Sequence, residues 1–541
     1  MSSFETRMYE KEEVRDPLVA LNALLVRGAS SSMLEDRILE ALREPTEGVI
    51  EDLYVMAFQI RDVRGGKGER LLFKQLLEIL FKIMPDLTLA MMDLIPEYGC
   101  WDDLYHLTQP KMVSKVIDMT VAQLKKDSLT DGPISLCAKW APREDRQGHL
   151  AKILAKELFR EEDSLSRRLK SYRKLVSGLN RKLQTTEIDM CNRQFALIEP
   201  EKVPGRCLQK HIKAFLNETL KNFPRHPDDK DRIECRNNFQ EHFAKAARGE
   251  VNFNGSQTVF PHELVKRAVK ILTESYHDAE DEKNAILGMW HQIVKDAKAS
   301  GGLTRSIAMC DFSGSMRCSE SNGDTPYWVS LAMGLLISEV TTEEFKDSFL
   351  TFDSTPILHT MSPDANLFER LRSIKILGQG TSTDFQAAMD VILTQLKNSR
   401  CIPGQEPDNL IVLTDMDWDT ACGCDQASFF TGHSYRNVVR TNPWLKHVEM
   451  IRESFKKAGE DMWGVPFKMP QIIIWNIASK KVEFNAHTDD VLMISGWSPT
   501  LSNTLQKGGE VRPSTPLESL RVQLDTKRYD LVRNRIRKFF S

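Results

Sequence analysis

Ser306-Ile-Ala-Met-Cys-Asp311-Phe-Ser-Gly-Ser-Met316 is a short apolar run that ends in a carboxylate, two hydroxyls and a glycine. Further apolar runs follow at Phe349-Leu-Thr-Phe352, Leu410-Ile-Val-Leu413, Gln471-Ile-Ile-Ile-Trp475 and Val491-Leu-Met-Ile494. Helical patterns lie between them at Tyr327–Val340, Asp384–Leu396 and Trp444–Ala458, and Leu517–Phe540 closes the chain. Strands that are apolar throughout, rather than at alternate positions, are covered on both faces. When helices separate them, the fold that covers both faces is a doubly wound, mainly parallel α/β sheet. Residues 303–541 are therefore expected to form such a Rossmann-like domain.

Ligands of a doubly wound sheet gather at the carboxyl ends of its strands. Three loops are expected at that edge: Asp311-Phe-Ser-Gly-Ser-Met316, Gly378-Gln-Gly-Thr-Ser-Thr-Asp384 and Thr414-Asp415-Met-Asp417. Alternate spacing sends Asp311, Ser313 and Ser315 to one side, and Gly314 is expected to allow a tight turn. Carboxylates mixed with neutral hydroxyls suit a hard cation such as Mg²⁺, which takes six oxygen ligands and keeps several waters. Asp311-Phe-Ser-Gly-Ser315 resembles the Asp-x-Ser-x-Ser signature of von Willebrand A domains, the metal-ion-dependent adhesion site. That resemblance implies one bound Mg²⁺ or Mn²⁺, held by Asp311, Ser313, Ser315 and Asp415 with Thr383 or Thr381. It implies no catalysis: the open position of the ion captures an Asp or Glu of a partner. The family's Asp-Gly after the last of these strands is Asp415-Met416 here. Asp384 reads as a helix cap, and Asp417 and Asp419 as exposed loop carboxylates.

The first 300 residues read differently. Apolar positions recur at spacings of three and four in Leu71–Ile83, Val113–Leu124, Leu150–Leu158, Leu165–Leu183 and Leu264–Leu272, the signature of amphipathic helices. Breakers separate them at Arg64-Gly-Gly-Lys-Gly, Pro85-Asp, Pro96-Glu-Tyr-Gly, Asp131-Gly-Pro and Pro224-Arg-His-Pro. Residues 1–300 are expected to form an α-helical domain, either a HEAT-like solenoid or an irregular bundle, with no detectable repeat period.

Several segments of this half resemble one family. Phe58-Gln-Ile-Arg-Asp-Val-Arg-Gly-Gly-Lys-Gly-Glu-Arg70, Tyr98-Gly-Cys-Trp-Asp-Asp103, Ala138-Lys-Trp-Ala-Pro142 and Val203-Pro-Gly, with the later Trp475-Asn476 and Ser495-Gly-Trp-Ser498, look like the family known as domain of unknown function 2828. Its layout is similar to that of TROVE-type Ro ribonucleoproteins, in which a helical-repeat region precedes an A domain. The resemblance implies a partner in structured or single-stranded RNA.

Residue chemistry supplies two cationic sites to test against that idea. Ser164–Thr186 holds seven basic residues and no acidic one, inside a chain whose net charge is only −3. Leu165, Leu169, Tyr172, Leu175, Leu179 and Leu183 make a stripe for docking. Arg167, Arg168, Lys170, Arg173, Lys174, Arg181 and Lys182 then form a cationic face for phosphates, or a solvated face paired with Glu161, Glu162 and Asp163. Arg61, Arg64, Lys67 and Arg70 surround a Gly-Gly-x-Gly turn whose backbone N–H groups either meet a phosphate or belong to a structural turn with Arg–carboxylate pairs. It is not a P-loop, because the Gly-x-x-x-x-Gly-Lys-[Ser/Thr] spacing is missing. Trp101, Asp102 and Asp103 read as a lock at a helix junction.

The remaining composition excludes more than it adds. No apolar run reaches the length of a membrane span, and the N-terminus has neither a signal core nor a myristoylation glycine. The expectation is an intracellular, cytoplasmic protein. Ten scattered cysteines fit free thiols, and Cys422-Gly-Cys424 lacks zinc half-site spacing. No nucleophile elbow, His-Glu-x-x-His, kinase set or dinucleotide fingerprint is present, and no small-molecule substrate is evident. The expected protein is non-enzymatic. It is either a Ro-like RNA-binding factor or an adaptor whose metal captures a partner carboxylate.

Overall fold

The structure is a computed structural model. It describes residues 16–43, 46–253, 258–273, 279–301, 303–318, 324–352, 355–374, 385–415, 443–478, 491–497 and 516–541. The chain divides into two compact units, each discontinuous in sequence.

One unit comprises residues 1–30, 259–275 and 289–523. Its centre is a six-stranded sheet: β1 (Ser306–Asp311), β2 (Ser348–Phe352), β3 (Leu358–Thr360), β4 (Asn409–Thr414), β5 (Gln471–Asn476) and β6 (Val491–Ser495). The spatial order is β3-β2-β1-β4-β5-β6. All pairs are parallel except β2–β3, which is an antiparallel hairpin. The five expected strands are all present. The sixth, β3, is three residues long and only half-buried, so it lacks the apolar run that marked the others. The sheet is mixed rather than wholly parallel, at one edge only.

Every residue of β1, β2 and β4 is buried, as both-face coverage requires. Ile307, Met309, Leu410, Val412, Ile472 and Ile474 pack on one face against Ile392 and Leu396 of the helix Phe385–Asn398 and Phe455 of the helix Pro443–Trp463. On the other face lies the helix Pro326–Val340, almost wholly buried. A Cβ at its Gly334 would stand 2.5 Å from Cys310 Sγ, so only glycine permits that approach between helix and strand.

The N-terminal helix Pro17–Leu24 also belongs to this unit, which composition alone did not suggest. Asp16 caps it, accepting from Leu18 N at 2.8 Å. Asn476 Nδ2 donates to the carbonyl of Ala23 at 3.1 Å, and Ser495 Oγ to that of Asn22 at 2.6 Å. The helix is thus pinned to the carboxyl ends of β5 and β6. Trp475 Nε1 donates to Gly496 O and Trp497 Nε1 to Ile477 O, so the Trp-Asn and Ser-Gly-Trp segments serve to close this end of the sheet.

The other unit comprises residues 31–258, 276–288 and 524–541. It is helical; its longer members include Glu47–Arg61, Arg70–Ile83, Pro110–Leu129, Glu144–Leu158, Leu165–Leu183 and Lys230–Ala247. Among the described residues its β-structure is limited to an isolated bridge between Glu218 and Pro224. The expected cut between residues 300 and 303 marks where strands begin, but the compact units do not follow it. Pro261–Thr273 goes with the sheet, and the closing segment divides between Gln523 and Leu524, so that the 3₁₀ turn Lys527–Tyr529 and the helix Asp530–Phe540 join the helices.

Candidate functional site

β1 and β4 are parallel neighbours, in register from Ser306–Asn409 to Cys310–Leu413. One residue further on, Asp311 and Thr414 meet, and Thr414 Oγ1 donates to Asp311 Oδ2 at 2.9 Å. Ser313 N donates to Asp311 Oδ1 at 2.9 Å, and Ser313 Oγ lies 3.0 Å from Ser315 Oγ. This junction is also the topological switch point: the chain runs outward to β2 on one side of β1 and to β4 on the other.

The electrostatics of the junction are unusual for a structural cap. Asp311 is 2% exposed and Asp415 is 0% exposed. Burial pushes the Asp311 carboxyl up to about 6, with the nearby Asp415 charge adding to the rise and bonds from Ser313 and Thr414 opposing it. Every described partner of Asp311 is neutral. Burying the Asp311 carboxylate without a cation is costly. The donors are oxygens only, two carboxylates and the hydroxyls of half-buried Ser313 and Ser315, so the set fits a hard divalent ion. Among the described residues no three His, Cys, Asp or Glu side chains form a metal cluster, and the fit rests on this carboxylate–hydroxyl mixture.

Gly314 departs from expectation. Its φ and ψ are −60° and −34° and nothing lies within 4 Å of a Cβ built there, so the turn does not require glycine. Thr381, Thr383, Asp384, Asp417, Asp419, Cys422 and Cys424 lie outside the described residues.

The helical unit places the cationic candidates in three settings. In the Gly-Gly-x-Gly turn, Lys67 N donates to Gln59 O at 3.0 Å, Gly68 N to Asp62 O at 3.2 Å and Glu69 N to Ile60 O at 2.7 Å. Arg64 N donates to Asp62 Oδ1. These N–H groups are therefore spent inside the protein, and the turn is not a phosphate cradle. Arg61 is 4% exposed and donates from Nε to Asp103 Oδ2 at 2.6 Å. Lys67 is 0% exposed, and burial pushes its amine down to about 7 against the opposing pull of Glu69. Neither side chain can reach a nucleic acid, which corrects their assignment as contacts. Arg70 pairs with Asp102 at 2.7 Å and Asp103 at 2.9 Å, and Arg64 is exposed.

Two glycines make the close approach between these segments. A Cβ at Gly66 would lie 1.8 Å from Gln59 O, and one at Gly99 2.3 Å from Asp103 Oδ2. Asp62, 0% exposed, also receives Arg528 Nη2 at 2.6 Å and Tyr529 OH at 3.3 Å. Trp-Asp-Asp and the glycine-rich turn are thus two halves of one buried ion-pair lock, as the helix-junction reading expected. The contribution of Arg528 and Tyr529 carried no signal in the sequence, because more than four hundred residues separate them from the turn.

The third setting is the helix Leu165–Leu183, found with the expected bounds. Ser164 caps it and Gln184 ends it at φ +47°. Leu169, Tyr172, Val176, Leu179 and Asn180 are buried, whereas Leu165 is 37% exposed, so the docked stripe is narrower than expected. Arg167 pairs with Asp163 at 2.6 Å and Arg173 with Glu144. Arg168 donates to the carbonyls of Glu162 and Arg160, and Lys182 to that of Thr130. Lys170, Lys174 and Arg181 are exposed and have no ion pair among the described residues. Their spacings of four and seven put them on one face.

No helix among the described residues is long and apolar enough to cross a membrane. Residues 103–303 match the family described as Domain of unknown function (DUF2828), and residues 305–533 match Domain of unknown function (DUF7788). An uncharacterised protein of Acanthamoeba polyphaga mimivirus is 26% identical over 522 residues, covering 91% of this chain and 82% of that protein. Among solved structures, the Ro (RSR) protein of Deinococcus radiodurans is similar at a TM-score of 0.31 and 12% identity, covering 93% of each chain. The chain is therefore similar along most of its length to proteins described only as domains of unknown function.

Proposed function

We propose that this is a non-enzymatic binding protein of von Willebrand A layout, whose sheet edge holds one Mg²⁺ or Mn²⁺ and presents it to a carboxylate of a protein partner. Asp311, Ser313, Ser315 and Asp415 would hold the ion, with Thr383 or Thr381 as the further oxygen. When bound, such an ion supplies a Lewis-acidic position that an Asp or Glu from outside can fill. The observation that carries the reading is the meeting of two buried carboxylates and two hydroxyls at the ends of adjacent parallel strands. The strand order with its single antiparallel edge hairpin supports the layout.

A bound ion stabilises only the folded sheet. Magnesium at a hundred times its Kd is expected to add about 2.7 kcal/mol, which raises the melting temperature of a unit this size by roughly 5–10 °C. Asp415→Ala should remove the rise, as should EDTA with the native chain. A magnesium-independent melt of the native protein, measured by scanning calorimetry, would sink the reading.

A second reading, a Ro-like ribonucleoprotein factor, is favoured by one observation: Lys170, Lys174 and Arg181 face outward unpaired on one helix face. Each phosphate contact to single-stranded RNA contributes about 0.7 to the slope of log K against log salt. Replacing all three by alanine should flatten that slope by about 2 in gel-shift titrations of single-stranded RNA. An unchanged slope, or no shift of RNA by the native protein at low salt, refutes it.

A further inference from the structure

The ion-pair lock of the helical unit has an outer side, and the donors there are not all used. Asp102, 1% exposed, accepts at one oxygen from Arg70 Nη1 at 2.7 Å and Arg146 Nη2 at 3.2 Å, and His106 Nε2 lies 3.5 Å from the same oxygen. The Arg146 and His106 nitrogens can therefore be no more than about 7 Å apart, twice the longer of their two distances. Both side chains are open to solvent, Arg146 at 59% and His106 at 46%. Arg146 meets Asp102 through Nη2 alone, which leaves Nε and Nη1 to donate, and His106 offers a donor at whichever solvent-facing ring nitrogen carries the proton.

Charge on this side is in surplus. Arg61 and Arg70 already answer the two buried carboxylates, Asp102 and Asp103. The guanidinium of Arg146 is then an additional positive charge, and His106, at the same Asp102 oxygen, shares with Lys74 the wall of an adjoining cavity of about 180 Å³. That cavity also takes in Arg70 and Asp103, between apolar walls of Leu71, Phe73 and Leu107. The only ion pair of Lys74 among the described residues is a long one to Glu78, at 3.8 Å. Leu71 is 64% exposed at the same place, so its side chain is open to a ligand.

We infer that Arg146 and His106, both gathered at Asp102 Oδ2, together with Lys74 in the cavity wall that His106 shares, bind the phosphate group of a small phosphomonoester or of a nucleic-acid end. A phosphate offers several strong acceptors to donors arriving from different sides, and guanidinium is the preferred partner. Asp102 plays the part of the buried carboxylate that fixes such donors before the ligand arrives. The first carbons of the ester lie against Leu71 and Leu107, and the cavity excludes a bulky body. This site is independent of the metal reading, since no residue of the sheet edge takes part.

Inorganic phosphate, titrated by calorimetry into the full-length protein at constant ionic strength with EDTA present, is the direct test. Binding is expected, with a loss of tenfold or more in Arg146→Ala and in His106→Ala. The two surface variants are also compared by melting temperature, so that misfolding is recognised. A 5′-phosphorylated RNA oligonucleotide is compared with its 5′-hydroxyl twin. A tenfold preference for the phosphorylated strand assigns the group to a nucleic-acid end, and equal affinity assigns it to a free phosphate ester. No uptake of phosphate by the native protein, or uptake that survives both alanine variants, overturns the proposal.

Discussion

Gly66→Ala is expected to lower the melting temperature of the helical unit by roughly 10 °C or to prevent its folding, an effect of about 4 kcal/mol or more. The added methyl would stand 1.8 Å from Gln59 O, 2.8 Å from the carbonyl carbon and 3.0 Å from Asp62 Cβ. Two of these are backbone atoms, which cannot step aside as a flexible side chain would. Moving the turn breaks Lys67 N to Gln59 O and Glu69 N to Ile60 O. It also disturbs the burial of Asp62, whose partners Arg528 and Tyr529 lie at the far end of the sequence. Gly132→Ala is the matched control, because nothing lies within 4 Å of its Cβ. If the two variants melt alike, the turn is not the rigid element described above.

The second large effect depends on pH. Lys67 is wholly buried and its amine titrates near 7, against about 10.5 when exposed. Between these values the unfolded chain holds a proton that the folded chain does not, so stability rises with pH across that window. Below about pH 7 both states are protonated and the full cost of a buried ammonium is felt. Lys67→Met removes the proton and the cost together. The native protein should therefore gain on the variant by up to roughly 4 kcal/mol between pH 6.5 and pH 10, read as a widening or reversal of their difference in melting temperature. A difference that stays constant with pH would show that Lys67 is not buried as described.

Both predictions concern a region where residue pattern alone was ambiguous. Arg61, Lys67 and Arg70 next to three glycines are compatible with a phosphate cradle and with a buried lock. What decides between them is whether the N–H groups of the turn are already bonded, and that depends on Gln59 and Ile60 carbonyls one helix end away. Periodicity cannot report it. Trp101-Asp-Asp103 was more legible, since adjacent carboxylates beside a tryptophan at a short helix suit a junction better than a solvent-facing site.

The sheet was the most legible part. Five apolar runs between amphipathic helices specify both-face burial, and all five are strands. β3 escaped because two half-buried residues and an exposed one at a sheet edge make no pattern. Two dockings escaped for a different reason. Pro17–Leu24 on the ends of β5 and β6, and Asp530–Phe540 on the helical unit, are contacts across more than four hundred residues. Amphipathic helices announce that they pack, but not against what.

At the sheet edge, the Asp-x-Ser-x-Ser spacing did place Asp311, Ser313 and Ser315 together, and the strand alignment brought Thr414 and Asp415 to them. The role given to Gly314 was not needed, because the turn there is right-handed and open. A glycine read from spacing alone is evidence of a turn, not of strain.

Uptake of an ion by those oxygens is what makes the sheet edge a binding site. Calorimetric titration of MnCl₂ into the full-length protein, against Asp311→Ala of the same melting temperature, measures this without any partner. One ion per native chain and none in the variant is the predicted result. No heat of binding in the native protein, or equal uptake by both, would contradict it.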